Sequence, residues 1–176
     1  MVRWFKRRAA GGTSEGFFYL RIDDRLIHGQ VVVGCAVPLD VNCLILANDR
    51  IAASPAESEF YLQIIPEDMN GAVHSIAQAV ENTPQIRRRN CRCLLVVSSI
   101  DEAWKWIESG NPPDLLILGG IHAAAGRQRI LDYVYLSDSE IEKLQSAIRG
   151  NVQVICQDVY TSDPIGFEDA LDRVRK

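Results

Sequence analysis

"FFYLRIDDRLIHGQVVVG" (residues 17–34) runs from an apolar stretch through a dense polar turn into a second apolar stretch. FFYLRI is almost continuously apolar, as a strand buried on both faces of a parallel sheet must be. GQVVVGCAV, after His28, reads as the helix that carries the chain back across that sheet. Together they form the first half of a βαβ unit. The turn between them gathers Asp23, Asp24, Arg25 and His28, so the segment that decides the fold also holds the densest chemistry.

The same grammar recurs downstream. NCLILAN, CRCLLVVS, DLLILGG, YVYLS and VQVICQD are further short runs rich in Val, Ile and Leu. Between them, Ser54 with Glu57, Ser99 with Glu102 and Ser137 with Glu140 each fit the S-x-x-E capping box, and Pro55 suits a first helical turn. Gly110 and Gly150 stand where helices commonly stop. Within residues 66–89, AVHSIAQAVENT fits either one helix or a short strand leading into one. Strands alternating with helices imply a single α/β domain with an open, mostly parallel sheet and helices on both faces. Residues 17–176 should form this domain, behind a flexible basic tail at residues 1–16 that carries Arg3, Trp4, Phe5, Lys6, Arg7 and Arg8.

A chain of 176 residues suits one core, and its 47% hydrophobic and 24% charged residues are those of a globular protein. A net charge of −4 gives no basic surplus for nucleic acid as the main partner. No apolar run approaches the roughly 20 residues that cross a bilayer, so a cytoplasmic location is expected. The five cysteines, Cys35, Cys43, Cys91, Cys93 and Cys156, mostly lie inside apolar runs and read as buried free thiols. Nothing near Cys91 and Cys93 completes a zinc set, and no metal is expected.

In open α/β sheets ligands bind beyond the carboxyl ends of the strands. Those ends carry Asp23, Asp24, Arg25 and His28 in the first run, Asn48, Asp49 and Arg50 in the second, and Gly119 and Gly120 in DLLILGG, with His122 and Arg127 following. Were these three strands neighbours, one crevice would hold them all. His28 falls at a helix amino end, which favours negative charge and leaves the imidazole neutral and nucleophilic. Arg25 can donate to phosphate oxygens at about 1.5–3 kcal/mol for each charge-assisted bond. Asp23 or Asp24 can hold Arg25 or orient the ring. His74 reads as a core or surface residue, and His122 mainly as a loop residue beside the crevice.

RIDDRLIHGQV resembles the signature of the IIB component of the mannose/fructose/sorbose family of the bacterial phosphoenolpyruvate-dependent sugar phosphotransferase system. LILANDRIA, WIESGNPPDLLILGG and VYLSDSEIEKLQSAIRGNVQVICQDV are similar to further family segments, so the resemblance runs from about Phe17 to about Leu171. It implies a phosphocarrier without a cofactor. His28 matches the phosphorylated histidine and Arg25 the arginine that helps bind the phosphate. Asp23, Asp24, Gly29 and Gln30 fall on the signature loop, while Asn48, Asp49, Gly119 and Gly120 match segments around it. The partners implied are a IIA phosphodonor and membrane IIC and IID components that hold the sugar, with peripheral membrane association through them; a homodimer is also allowed for. IHAAAGRQR, after Gly120, is only loosely like the family's usual segment, and the basic start has no family counterpart. Two other readings stay open: a regulatory phosphoacceptor without a transport role, and a divalent-metal hydrolase built on Asp23, Asp24, Asp49, His28 and His122.

Overall fold

The computed structural model describes residues 16–87 and 91–174. The expected basic tail therefore lies, but for Gly16, outside the described residues.

Strands β1 (Phe17–Ile22), β2 (Cys43–Ala47), β3 (Asn70–His74), β4 (Arg92–Val97), β5 (Leu115–Leu118) and β8 (Val154–Cys156) run parallel in one sheet, and β9 (Ile165–Gly166) pairs antiparallel at its edge. The order is β3-β2-β4-β1-β5-β8-β9. The first βα unit forms as read, but its helix is unusual. A short α-helical turn, α1 (Gly29–Val31), runs directly into a π-helical stretch at Val32–Ala36. Helices α2 (Asp49–Ala52), α3 (Pro55–Ile64), α4 (Ile76–Arg87), α5 (Ile100–Glu108), α6 (Asp138–Arg149) and α7 (Phe167–Val174) complete both faces.

Each strand feeds two cores because successive residues point to opposite faces. Phe18, Leu20 and Ile22 pack with Trp106, Leu144 and Phe167 beneath α4 to α7. Tyr19, Leu44, Leu94 and Ile117 pack with Val31, Val32 and Cys35 on the other side. Burial on both faces is why these runs are continuously apolar.

Ser54, Ser99 and Ser137 each accept a bond from the amide three residues on, as expected of N-caps. Only Ser137 and Glu140 close the reciprocal box. Glu57 turns instead to Arg50, and Glu102 to Ser98 and Asn48. AVHSIAQAVENT resolves into the end of β3 followed by α4. YVYLS departs from its expected place in the main sheet: Val134–Leu136 (β7) pairs antiparallel with Gln128–Leu131 (β6) in a separate two-stranded sheet. Three residues joined to the preceding strand by a tight turn find a hairpin partner before they can reach a sheet edge. At the end of α6, Asn151 takes the left-handed conformation (φ 67°) that Gly150 was expected to supply.

Candidate functional site

The sheet order decides which strand ends meet. β5 lies beside β1, but β4 stands between β1 and β2. Two of the three strand ends named from the sequence are therefore neighbours, and the third is one strand removed. Asn48 and Asp49 spend their side chains on architecture. Asn48 caps α2 through the Ile51 amide and donates to Glu102 at 2.8 Å, while Asp49 accepts from the Ile76 amide at 2.8 Å.

The turn after β1 is built around Asp23, whose side chain is 0% exposed. It accepts from Arg21 Nη2 at 2.8 Å and from Arg25 Nε at 3.2 Å, and takes further bonds from the amides of Arg25 and Gly120. Burial alone would raise its pKa, but the Arg21 charge and the bonds from both arginines outweigh that and hold the carboxyl below its usual range. Leu26 closes the turn with φ 60°, a conformation unfavourable for a side chain by about 1–2 kcal/mol. Its burial anchors that strained turn in the second core.

His28 follows in extended conformation and caps α1 through its carbonyl, which accepts from the amides of Val31 and Val32. Its side chain is 24% exposed, and Nε2 lies 3.6 Å from Asp23 Oδ1, an ion-pair rather than a hydrogen-bond distance. Nε2 is buried without a bond, which leaves Nδ1 as the nitrogen turned outward. Desolvation lowers the ring's pKa; Asp23 opposes this, while Arg25 and Arg21 add to it. Burial thus favours the neutral imidazole. Among the described residues, the amides of Gly29 and Gln30 beside it make no hydrogen bond within the chain.

Arg25 spans the crevice. It reaches Gln30 Oε1 at 3.2 Å and Asp158 Oδ1 at 3.4 Å, and its side chain remains 38% exposed. Gly119 and Gly120 form its floor. A Cβ on Gly119 would stand 2.3 Å from Arg21 Nη2, and one on Gly120 would stand 2.9 Å from Arg25 Nη2, so the two guanidinium groups occupy the space that side chains would need. Asp24 turns away from Asp23 and binds the amide and ring of His122, whose neighbour in the loop, Arg127, is tied to Glu140.

Arg21 and Asp158 were not singled out in the sequence. Arg21 is 1% exposed and also donates to the carbonyls of Gln157 and Asp158, locking the loop after β8 against β1. A signal was available: a cation inside an apolar strand, two residues before Asp23, must share its face and needs a buried partner. Asp158 had no comparable mark beyond its position at a strand's carboxyl end. The set proposed for a divalent ion is not assembled, since Asp23 is saturated by arginines and Asp49 caps a different helix. Among the described residues, no group of three or more His, Cys, Asp or Glu side chains could hold a metal.

Residues 17–176 match the family described as "PTS system sorbose subfamily IIB component". The chain is 26% identical over 145 residues to the N-acetylgalactosamine-specific phosphotransferase enzyme IIB component 2 of Escherichia coli K12, covering 82% of this chain and 92% of that one. It is 22% identical over 156 residues to the mannose-specific EIIAB component of the same strain, and spans only 48% of that protein's length. Among solved structures, the IIBSor domain of the sorbose permease from Klebsiella pneumoniae superposes with a TM-score of 0.80 at 20% identity, over 89% of this chain and 97% of that one. The N-acetylgalactosamine-specific IIB component 1 from Escherichia coli gives 0.72 at 23% identity, over 83% and 95%.

Proposed function

Since the chain belongs to the sorbose-subfamily IIB components of the sugar phosphotransferase system, we propose that His28 is its phosphoryl carrier, loaded by a IIA phosphohistidine and discharged to a sugar hydroxyl presented by membrane IIC and IID components. The observation that carries this is a partly exposed imidazole whose Nε2 lies 3.6 Å from the buried Asp23 carboxylate, on the same turn as the partly exposed Arg25. A relative whose name joins the A and B components supports a IIA partner.

Loading needs no proton transfer. With the ring proton on Nε2, facing Asp23, the Nδ1 lone pair attacks phosphorus as the donor's P–N bond breaks. The phosphorylated ring carries positive charge, and Asp23 lies where it offsets that charge. Arg25 and the free amides of Gly29 and Gln30 can meet the phosphoryl oxygens. Phosphoryl transfer depends mainly on such positioning and charge stabilisation. When phosphorus leaves Nδ1, His28 departs as neutral imidazole with its proton still on Nε2.

Incubation with phosphoenolpyruvate, the general phosphotransferase proteins and a cognate IIA should label the chain once, acid-labile and base-stable. His28→Ala should remove the label. A label that persists in that variant would overturn the assignment.

A further inference from the structure

Asp23 and Asp24 are consecutive, and each addresses a different histidine. Asp24 accepts from the His122 amide at 2.8 Å, and its two oxygens lie 2.7 and 2.9 Å from His122 Nδ1. Its own amide donates to the Gly120 carbonyl at 2.9 Å, so the two loops are clamped together. Arg127 donates to the His122 carbonyl while held by Glu140, which fixes the far side of the loop. The His122 side chain is nevertheless 67% exposed. A carboxylate on Nδ1 places the ring proton there and leaves the Nε2 lone pair facing outward, the arrangement that prepares a histidine to accept a proton. Gly120, two residues before His122, lies against the Arg25 guanidinium, so the loop that carries this ring starts at the crevice wall beside Arg25.

The loading step has no use for such a base, because a phosphoryl group passes between two imidazoles without moving a proton. Discharge does, since an attacking hydroxyl must lose its hydrogen. The nearby carboxylates are engaged: Asp23 by Arg21 and Arg25, Asp158 by Arg25. We propose that His122, held by Asp24, is the proton acceptor for discharge of phospho-His28. The P–Nδ1 bond breaks, the P–O bond to the hydroxyl forms, and the hydroxyl proton passes to His122 Nε2. The resulting imidazolium is balanced by Asp24. This inference rests on His28 being the phosphoryl carrier.

The full chain can be charged with phosphoramidate, a small phosphoryl donor to imidazole, and loss of phosphohistidine to water, standing in for the sugar hydroxyl, followed by phosphorus NMR. The readout is the ratio of discharge to charging rates. General acid–base groups contribute roughly 100- to 10,000-fold with their natural acceptor, so with water His122→Ala should lower the ratio at least about 10-fold, and added imidazole should restore it. Asp24→Asn should lower it too, and His74→Gln serves as the control. An unchanged ratio in His122→Ala, a loss that imidazole does not rescue, or a label on His122 itself overturns the inference alone. A label absent from His28 counts instead against the proposed function.

Discussion

Asp23 Oδ1 stands 3.6 Å from His28 Nε2 while the same carboxylate is saturated by two arginines. The aspartate can therefore bias the ring's proton toward Nε2 without drawing it into a permanently charged pair. Asp23→Asn removes the charge that raises the His28 pKa against desolvation and the positive charges of Arg25 and Arg21. The ring should then titrate lower still, which an NMR titration of His28 would read. The variant also leaves Arg21 buried without its carboxylate, at a cost of about 3–5 kcal/mol measured by denaturant unfolding.

Arg25→Ala should leave the fold intact, because Arg21 still holds the buried Asp23 carboxylate at 2.8 Å. Loading of His28 should slow about 100-fold if roughly 3 kcal/mol of charge stabilisation is lost. A normal loading rate in stopped-flow transfer from IIA would show that Arg25 does not meet the phosphoryl group.

Gly119→Ala and Gly120→Ala should separate stability from activity. The first sets a Cβ against Arg21, whose guanidinium is pinned by Asp23 and two carbonyls and cannot retreat. It should destabilise by about 1–3 kcal/mol. The second meets the Arg25 guanidinium, which is partly exposed at the end of a flexible side chain and can shift; its thermal midpoint should fall less than that of Gly119→Ala, while loading slows.

The histidines also predict an acid-side loss of stability. His28 and His74 both have pKa values lowered by burial below the ordinary 6.5. As pH falls through 6.5 the unfolded chain takes up protons that the folded chain refuses, so stability rises with pH in this window and drops below it. His28→Gln should remove its share of that slope. Asp23 and Glu140, both lowered, act further down: their contribution is present above the ordinary carboxylate range and lost as pH falls through their folded values. Denaturation midpoints measured from pH 8 to 3 would resolve the two regions.

Much of this was legible in the chain itself. Continuous apolar runs meant strands buried twice, three serines marked three helix starts, and the polar turn after FFYLRI put Asp23, Arg25 and His28 forward as candidate site residues. These are local facts, since period, capping and turn chemistry act within a few residues. The order of the strands is not local. Whether β4 or β2 lies beside β1 depends on how crossovers pack, and that order set Gly119 against Arg21 and Gly120 and Asp158 against Arg25 while giving Asn48 and Asp49 a structural task. Nor could one dimension show that Arg21 passes beneath the turn to hold Asp23, or that Asp24 reaches His122 across 98 positions of sequence. Sequence sets which groups a turn can present; only the folded sheet sets which charges are buried together, because burial and pairing arise where distant segments close on one another.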